Sequence, residues 1–266
     1  MLAVDIGNTT IALGVVRKGK ILESVRIDTT DRPRILKPVL HKRLNYFLNK
    51  GYDCKKVVIC SVVPQTTRLM QRYIKKILDV DPLVVGKDII VPIKNRYKNP
   101  SQVGQDRLVG AYAASKLYGK PLIVVDLGTA ITFDVVSLKG EYLGGAIVPG
   151  IRLSAESLFL KTALLPEINI RAPKNPIGRT TQESILSGLF YGYGALCQGM
   201  VDLLGRYVGA GLPVLERLKD GPGKSAPTKI VMTGGHTQLM KKFVSPKIRI
   251  IDENLVFKGM DLISIQ

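Results

Sequence analysis

The feature that most constrains this chain is an internal repeat. Val4-Asp5-Ile6-Gly7-Asn8-Thr9 and Val125-Asp126-Leu127-Gly128-Thr129-Ala130 each end an apolar run in an acid, followed by glycine and small residues, mostly hydroxyl or amide. The likeness continues downstream. Thr10 to Val16 leads through the turn Arg17-Lys18-Gly19-Lys20 into Ile21 to Ile27. Ile131 to Ser137 leads through Leu138-Lys139-Gly140-Glu141 into Tyr142 to Val148. The turn glycine follows the aspartate by 14 residues in both copies, from 5 to 19 and from 126 to 140. A glycine in a short polar segment between β-rich runs signals a hairpin. Each half therefore opens on a strand–turn–strand unit with an acid at its first tight bend.

Helical and strand patterns alternate around these units, which argues for α/β architecture. Asp31 to Asn49 carries Ile35, Val39, Leu40, Leu44 and Phe47 near helical period. Lys55 to Val62 reads as a buried strand, Thr66 to Leu78 as a helix, and Val84 to Val91 as a weaker strand. Gly104 to Tyr118 reads as a helix with Leu108, Ala111, Tyr112, Ser115 and Leu117 close together on its surface. Leu122 to Val125 is a continuous apolar run suited to a central strand. We place one lobe over residues 1–117 and a second over 118–266. In the second, Thr180 and Glu183 suit a capping box for a helix running to about Tyr207. Gly188, Gly192, Gly194 and Gly199 fall inside it, each costing about 1 kcal/mol there. They imply close approach of another helix, across lobes or subunits. Gly221 to Pro227 reads as a surface loop; it lacks the first glycine and the preceding strand of a P-loop.

Composition excludes several classes. With 6% aromatic residues and no Trp, aliphatic side chains must fill the core. Cys54, Cys60 and Cys197 are too few and too scattered for a disulfide framework or zinc site, which points to a reducing, cytoplasmic setting. The start of the chain has no basic segment of the signal-peptide kind. No apolar run approaches the ~18 residues of a membrane span. The net charge of +18 is spread as pairs such as Lys42-Arg43, Lys75-Lys76 and Lys241-Lys242. Without basic–aromatic blocks or a nucleic-acid motif, this reads as a solvated surface rather than a nucleic-acid interface. His41 and His236, the only histidines, have no Ser or Cys nucleophile pattern beside them.

The repeated bends suit a nucleotide. Phosphates want backbone N–H donors at tight turns, and Mg²⁺ wants carboxylates, directly or through water. In Asp5-Ile-Gly-Asn-Thr9, Gly7 would admit a phosphate to the backbone, Asn8 and Thr9 can donate side-chain hydrogen bonds, and Asp5 can hold magnesium. Asp126-Leu-Gly-Thr129 offers the same set. One Asp-x-Gly bend alone is an ordinary turn; two in register carry weight. Tyr97-Lys-Asn-Pro100 leads into Gly104-Gln-Asp-Arg107 at a helix start. There Asp106 either stabilises the helix N-terminus or accepts a proton from an attacking hydroxyl. Arg107 can present a planar donor fork to substrate or phosphate. Thr181, next to the cap, has a hydroxyl able to reach a substrate. Ile230-Val-Met-Thr-Gly-Gly235 is a strand ending in a turn suited to a nucleobase or ribose, or to a tight helix entry.

Taken together, these motifs resemble the type III pantothenate kinases. The likeness rests on Asp5-x-Gly-Asn-Thr9, Tyr97-x-Asn-Pro100, Gly104-x-Asp-Arg107 and Asp126-Leu-Gly-Thr129. It continues with Gly144-Gly-Ala-Ile-Val-Pro-Gly150, Gly178 through Thr181 and Thr233-Gly-Gly235. It implies a two-lobed acetate/sugar kinase–actin-like fold (ribonuclease H-like, duplicated) with mixed sheets flanked by helices. It also implies ATP-dependent phosphorylation of pantothenate, the first step towards coenzyme A. On matching positions, Asp5, Ile6, Gly7, Asn8, Thr9, Thr10, Ile11 and Ala12 form the first ATP-phosphate loop, and Thr129 contacts ATP. Asp106 is the proton acceptor. Tyr97, Gly104, Gln105, Asp106, Arg107 and Thr181 line the pantothenate site, and Asp126 binds K⁺ or NH₄⁺. The family is typically homodimeric. Thr180 stands where the family commonly has Asn. A non-catalytic regulator on the same fold and a kinase of another small hydroxy acid are the alternatives.

Overall fold

The structure is a computed structural model that describes residues 1–30, 32–208, 228–244 and 248–265. The loop expected over 221–227 lies outside the described residues. The chain divides into two compact units.

Unit 1 comprises Met1–Ile93, Lys98–Ala113 and Asn254–Gln266. Its strands are β1 (Leu2–Ile6), β2 (Thr10–Arg17), β3 (Lys20–Asp28), β4 (Val57–Ser61) and β5 (Leu83–Val84), in the order β3-β2-β1-β4-β5. Strands β1, β2 and β3 pair antiparallel; β4 joins β1 and β5 joins β4 in parallel. Period-two alternation assigns the faces. Leu2, Val4, Ile6, Leu13 and Val15 pack with Leu36, Leu40, Leu44 and Phe47 of α1 (Pro33–Asn49) and with Met70 and Ile74 of α2 (Pro64–Leu78). Helix α8 (Leu255–Ser264) packs close to β1 and β2, with the Phe257 ring directly over Gly14. Gly259 brings α8 onto Val109 and Ala113 of α3 (Gln105–Tyr118).

Unit 2 comprises Lys94–Tyr97 and Ala114–Glu253. Strands β6 (Leu122–Leu127), β7 (Ala130–Val136), β8 (Tyr142–Pro149), β9 (Lys229–Thr233) and β10 (Ile250–Ile251) form a sheet ordered β10-β9-β6-β7-β8. Its hairpins and parallel additions repeat those of unit 1 strand for strand. Both copies even carry the same irregularity, between Val15 and Val16 and between Val135 and Val136. Ile6 pairs with Ile11, but Leu127 pairs with Ile131, so the second bend is one residue shorter. Its distal turn is one residue longer. The first copy turns on Lys18 and Gly19, both at positive φ as a tight hairpin turn requires. The two differences offset, which keeps each turn glycine at the same distance from its acid. The remaining α-helices among the described residues are α4 (Ile151–Lys161), α5 (Thr181–Ser187), α6 (Tyr193–Val208) and α7 (Thr237–Met240).

Several sequence expectations change. A single boundary at residue 117 becomes two interleaved units, because α8 covers the first sheet and Lys94–Tyr97 pairs beside β8. The strand over 84–91 shrinks to Leu83–Val84 and one bridge, Val85 to Ile89. Gly86 (φ +85°) turns the chain there and its N–H donates to Ile89 O. Helix α3 has no single apolar stripe. Val109, Ala113 and Ala114 are buried along with Leu108, Ala111 and Tyr112, while Leu117 is exposed. The helix from residue 181 is interrupted by a π segment, Gly188–Gly192. Of its glycines, Gly194 meets close packing, against the Phe243 backbone, whereas Gly188, Gly192 and Gly199 face open space within the chain.

All three cysteines are free and buried. Burial pushes the Cys197 thiol up to about 11. Its folded pKa lies above its unfolded one, so this contribution to stability is complete below the ordinary thiol range. It is lost as pH rises from about 9 to about 11. Alkylation by iodoacetamide at pH 8, followed by mass spectrometry, should label Cys60 and Cys197 only on unfolding.

Candidate active site

In unit 1, the half-buried Asp5 is the penultimate residue of β1, in register opposite Cys60 of β4. The bend that follows is held on both sides. Gly7 N–H donates to Thr10 O (2.9 Å), Thr29 Oγ1 donates to Gly7 O (2.7 Å), and Thr29 N–H donates to Thr9 O (3.0 Å). The N–H of Gly7 is therefore used to close the bend. The exposed residues of the loop are Asn8 and Thr9. Ile6 and Ile11 are core residues that flank the bend, while Thr10 and Ala12 are half-buried on β2.

The second acid of this unit comes from α3. Asp106 stands in its first turn, and Arg107 N–H donates to Asp106 Oδ1 (2.9 Å). The carboxylate folds back towards the helix start, so that a Cβ on Gly104 would lie 2.4 Å from Oδ1. Gly104 thus leaves the space that the acid occupies. The charges of Asp5, in register with Cys60, and of Asp106 both act on the buried Cys60 thiol. Burial first, then the negative charges of Asp5 and Asp106, push that thiol well upward. The Gln105 side chain lies over Gly86, where a Cβ would meet its Cδ at 2.6 Å.

In unit 2 three sequence motifs meet. Gly128 N–H donates to Ala130 O (3.1 Å), closing the second bend as Gly7 closes the first. Gly150, the residue before α4, donates its N–H to Thr129 O (2.9 Å). A Cβ on Gly150 would lie 2.4 Å from both Gly128 O and Thr129 O. Gly234 (φ +99°) sits so close that a Cβ would stand 2.3 Å from Asp126 Oδ1 and 2.6 Å from Leu127 N. His236 N–H then donates to Leu127 O. Asp126 and Thr129 are therefore fixed by the Gly-Gly turn on one side and Gly150 on the other.

Tyr97 also belongs to unit 2, its ring against Gly144. Thr181 begins α5 and is exposed. Thr180 caps that helix by accepting from Glu183 N–H (3.2 Å), as an Asn would. Glu183 reaches back to Arg179 N–H (2.9 Å), one residue earlier than a capping box requires. Sequence reasoning missed Cys60, Thr29 and Gly86. Register with Asp5 and packing on Gln105 are their only signals, and both are non-local.

The donors gathered here are carboxylates, hydroxyls and backbone groups, all hard oxygen ligands or N–H donors. Among the described residues no group of three His, Cys, Asp or Glu could hold a metal ion.

Two hairpin-led sheets of matching strand order, each with an acid at its first bend, define a duplicated α/β fold. Residues 1–203 match the type III pantothenate kinase family. The type III pantothenate kinase of Persephonella marina is 43% identical over 245 residues, covering 91% of this chain and 89% of that protein. That of Finegoldia magna is 38% identical over 269 residues, covering 99% and 96%. A solved Baf family structure from Campylobacter jejuni, 20% identical, covers 99% of this chain and 96% of its own with a TM-score of 0.56, a likeness of fold alone. The chain belongs to the type III pantothenate kinase family, and so is an ATP-dependent kinase of coenzyme A biosynthesis.

Proposed function

We propose that this chain moves the γ-phosphoryl group of ATP to the hydroxyl of pantothenate, with Asp106 as the proton acceptor. The reading is supported by two acids of one unit, the bend acid Asp5 in register with Cys60 and the helix-start acid Asp106, whose charges both act on the Cys60 thiol. Phosphoryl transfer has a loose transition state and depends on positioning and charge neutralisation, so an ionised carboxylate suffices as acceptor. The Asp5–Ala12 loop and Thr129 bind the phosphates, with the side chains of Asn8 and Thr9 as donors. Asp5 and Asp126 would hold Mg²⁺ and a monovalent cation, K⁺ or NH₄⁺, respectively. Mg²⁺ would neutralise phosphate charge when bound. Tyr97, Gly104, Gln105, Arg107 and Thr181 orient pantothenate.

No helix among the described residues is long and apolar enough to cross a membrane. Buried free thiols agree with the cytoplasm as its compartment. Exposed Leu153, Phe159 and Leu160 on α4, with the open glycines after α5, support a homodimer.

Purified protein should form ADP only when ATP, Mg²⁺ and pantothenate are all present, and faster with K⁺. Asp126→Asn should lower turnover about tenfold or more and abolish the response to K⁺. ADP formation that ignores pantothenate, or none at all, would sink the reading. An unchanged K⁺ response in Asp126→Asn would remove that residue from the cation site.

A further inference from the structure

The segment Lys94–Tyr97 belongs to unit 2 although the chain on either side of it belongs to unit 1. Backbone and side-chain contacts hold it there. Tyr142 N–H donates to Lys94 O (2.9 Å) and Arg96 N–H donates to Tyr142 O (2.8 Å), with Asn95 bridged in parallel to Tyr142. Tyr142 is itself fixed. Its side chain is fully buried and its hydroxyl donates to Asp134 Oδ1 (2.8 Å), while Asp134 Oδ2 accepts from Thr132 Oγ1 (3.0 Å). One residue earlier, Glu141 accepts from Arg96 Nη2 (2.7 Å) and lies 3.6 Å from Lys94 Nζ. The Arg96 bond above all holds its carboxyl below the usual range.

These contacts determine where a ring goes. Tyr97 N–H donates to Asn95 Oδ1 (2.9 Å), turning the chain out of the bridge. The ring then lies against Gly144, where a Cβ would stand 3.2 Å from Cδ2 and Cε2. Gly144 has φ +108°, a conformation other residues rarely adopt, so the seat is both vacant of side chain and fixed in backbone.

We propose that Glu141 is a positioning residue for pantothenate binding: its carboxylate ties Lys94 and Arg96 to β8 so that the Tyr97 ring stays seated on Gly144. This rests on the reading that Tyr97 lines the pantothenate site. The pair Arg96–Glu141 is partly solvent-exposed, and such pairs contribute little to global stability. Its loss should therefore act on the position of Tyr97 rather than on folding.

The chain contains no Trp, so Tyr97→Trp creates a single fluorescent reporter at the position in question. Pantothenate should shift or quench its emission. If it does not, and Tyr97→Ala leaves the pantothenate KM unchanged, the placement of Tyr97 fails and the inference fails with it. Given that response, adding Glu141→Ala or Arg96→Ala should move the free protein's emission maximum to the red. In the otherwise native chain each should raise the pantothenate KM about tenfold, with kcat and the ATP KM within about twofold. Glu141→Gln, which keeps an acceptor for Arg96, should recover part of the loss. In a Tyr97→Ala background, Glu141→Ala should add nothing. An unshifted emission maximum, or a Glu141→Ala effect undiminished in the Tyr97→Ala background, would overturn the role of Glu141 while leaving that of Tyr97 intact.

Discussion

Asp106→Asn is expected to lower kcat by about a hundredfold to ten-thousandfold, the range over which a positioned proton acceptor contributes. The substitution changes charge with almost no change of shape. Asn keeps an oxygen that can accept from Arg107 N–H, so the start of α3 should hold its geometry. One of the two negative charges near Cys60 disappears, yet burial, the larger influence on that thiol, remains. The variant should therefore melt within a few degrees of the parent and bind ATP and pantothenate with nearly unchanged affinity. Steady-state ADP release, with calorimetric titration of each ligand, separates these quantities. Turnover close to the parent's would remove Asp106 from the proposed role.

Gly234→Ala should have the largest structural effect. It combines two penalties: a backbone at φ +99° that Ala rarely adopts, and a methyl group 2.3 Å from Asp126 Oδ1 and 2.6 Å from Leu127 N. The acid and backbone of the second bend would have to move. Strain and overpacking together should cost about 3–5 kcal/mol, or a fall in Tm on the order of 10 °C. In the protein that remains folded, the ATP KM should rise more than the pantothenate KM. Gly235→Ala is the matched control, because a Cβ there meets nothing within 4 Å and its φ lies outside the positive range. Equal melting temperatures for the two variants would show that the Gly-Gly turn does not press on Asp126.

The sequence made the repeat legible because its signals are local. An acid, a bend and a turn glycine at a fixed offset can be counted along the chain. The candidate residues at helix starts were legible for the same reason, through Gly104 before Asp106 and Thr180 before Thr181. What stayed hidden depends on residues far apart in the chain. The pairing of Glu141 with Arg96 spans 45 positions and follows from the bridge at Tyr142. The place of Gln105 follows from a turn at Gly86 that reads, in isolation, as part of a strand. Burial on several sides of α3 erased the apolar stripe on which helix readings rely. The use of Gly7 and Gly128 N–H within their own bends is a hydrogen-bonding outcome, invisible to residue type.

Helix α8 has a consequence for biogenesis. The five strands of the first sheet leave the ribosome early, whereas the segment that seats Phe257 over Gly14 is synthesised some 240 positions later (257 − 14 = 243). During translation the nascent sheet must wait with an apolar surface uncovered, so unit 1 completes its folding only after unit 2 has been made. Chaperone contact with the emerging chain should accordingly persist until residues 255–264 are free to dock.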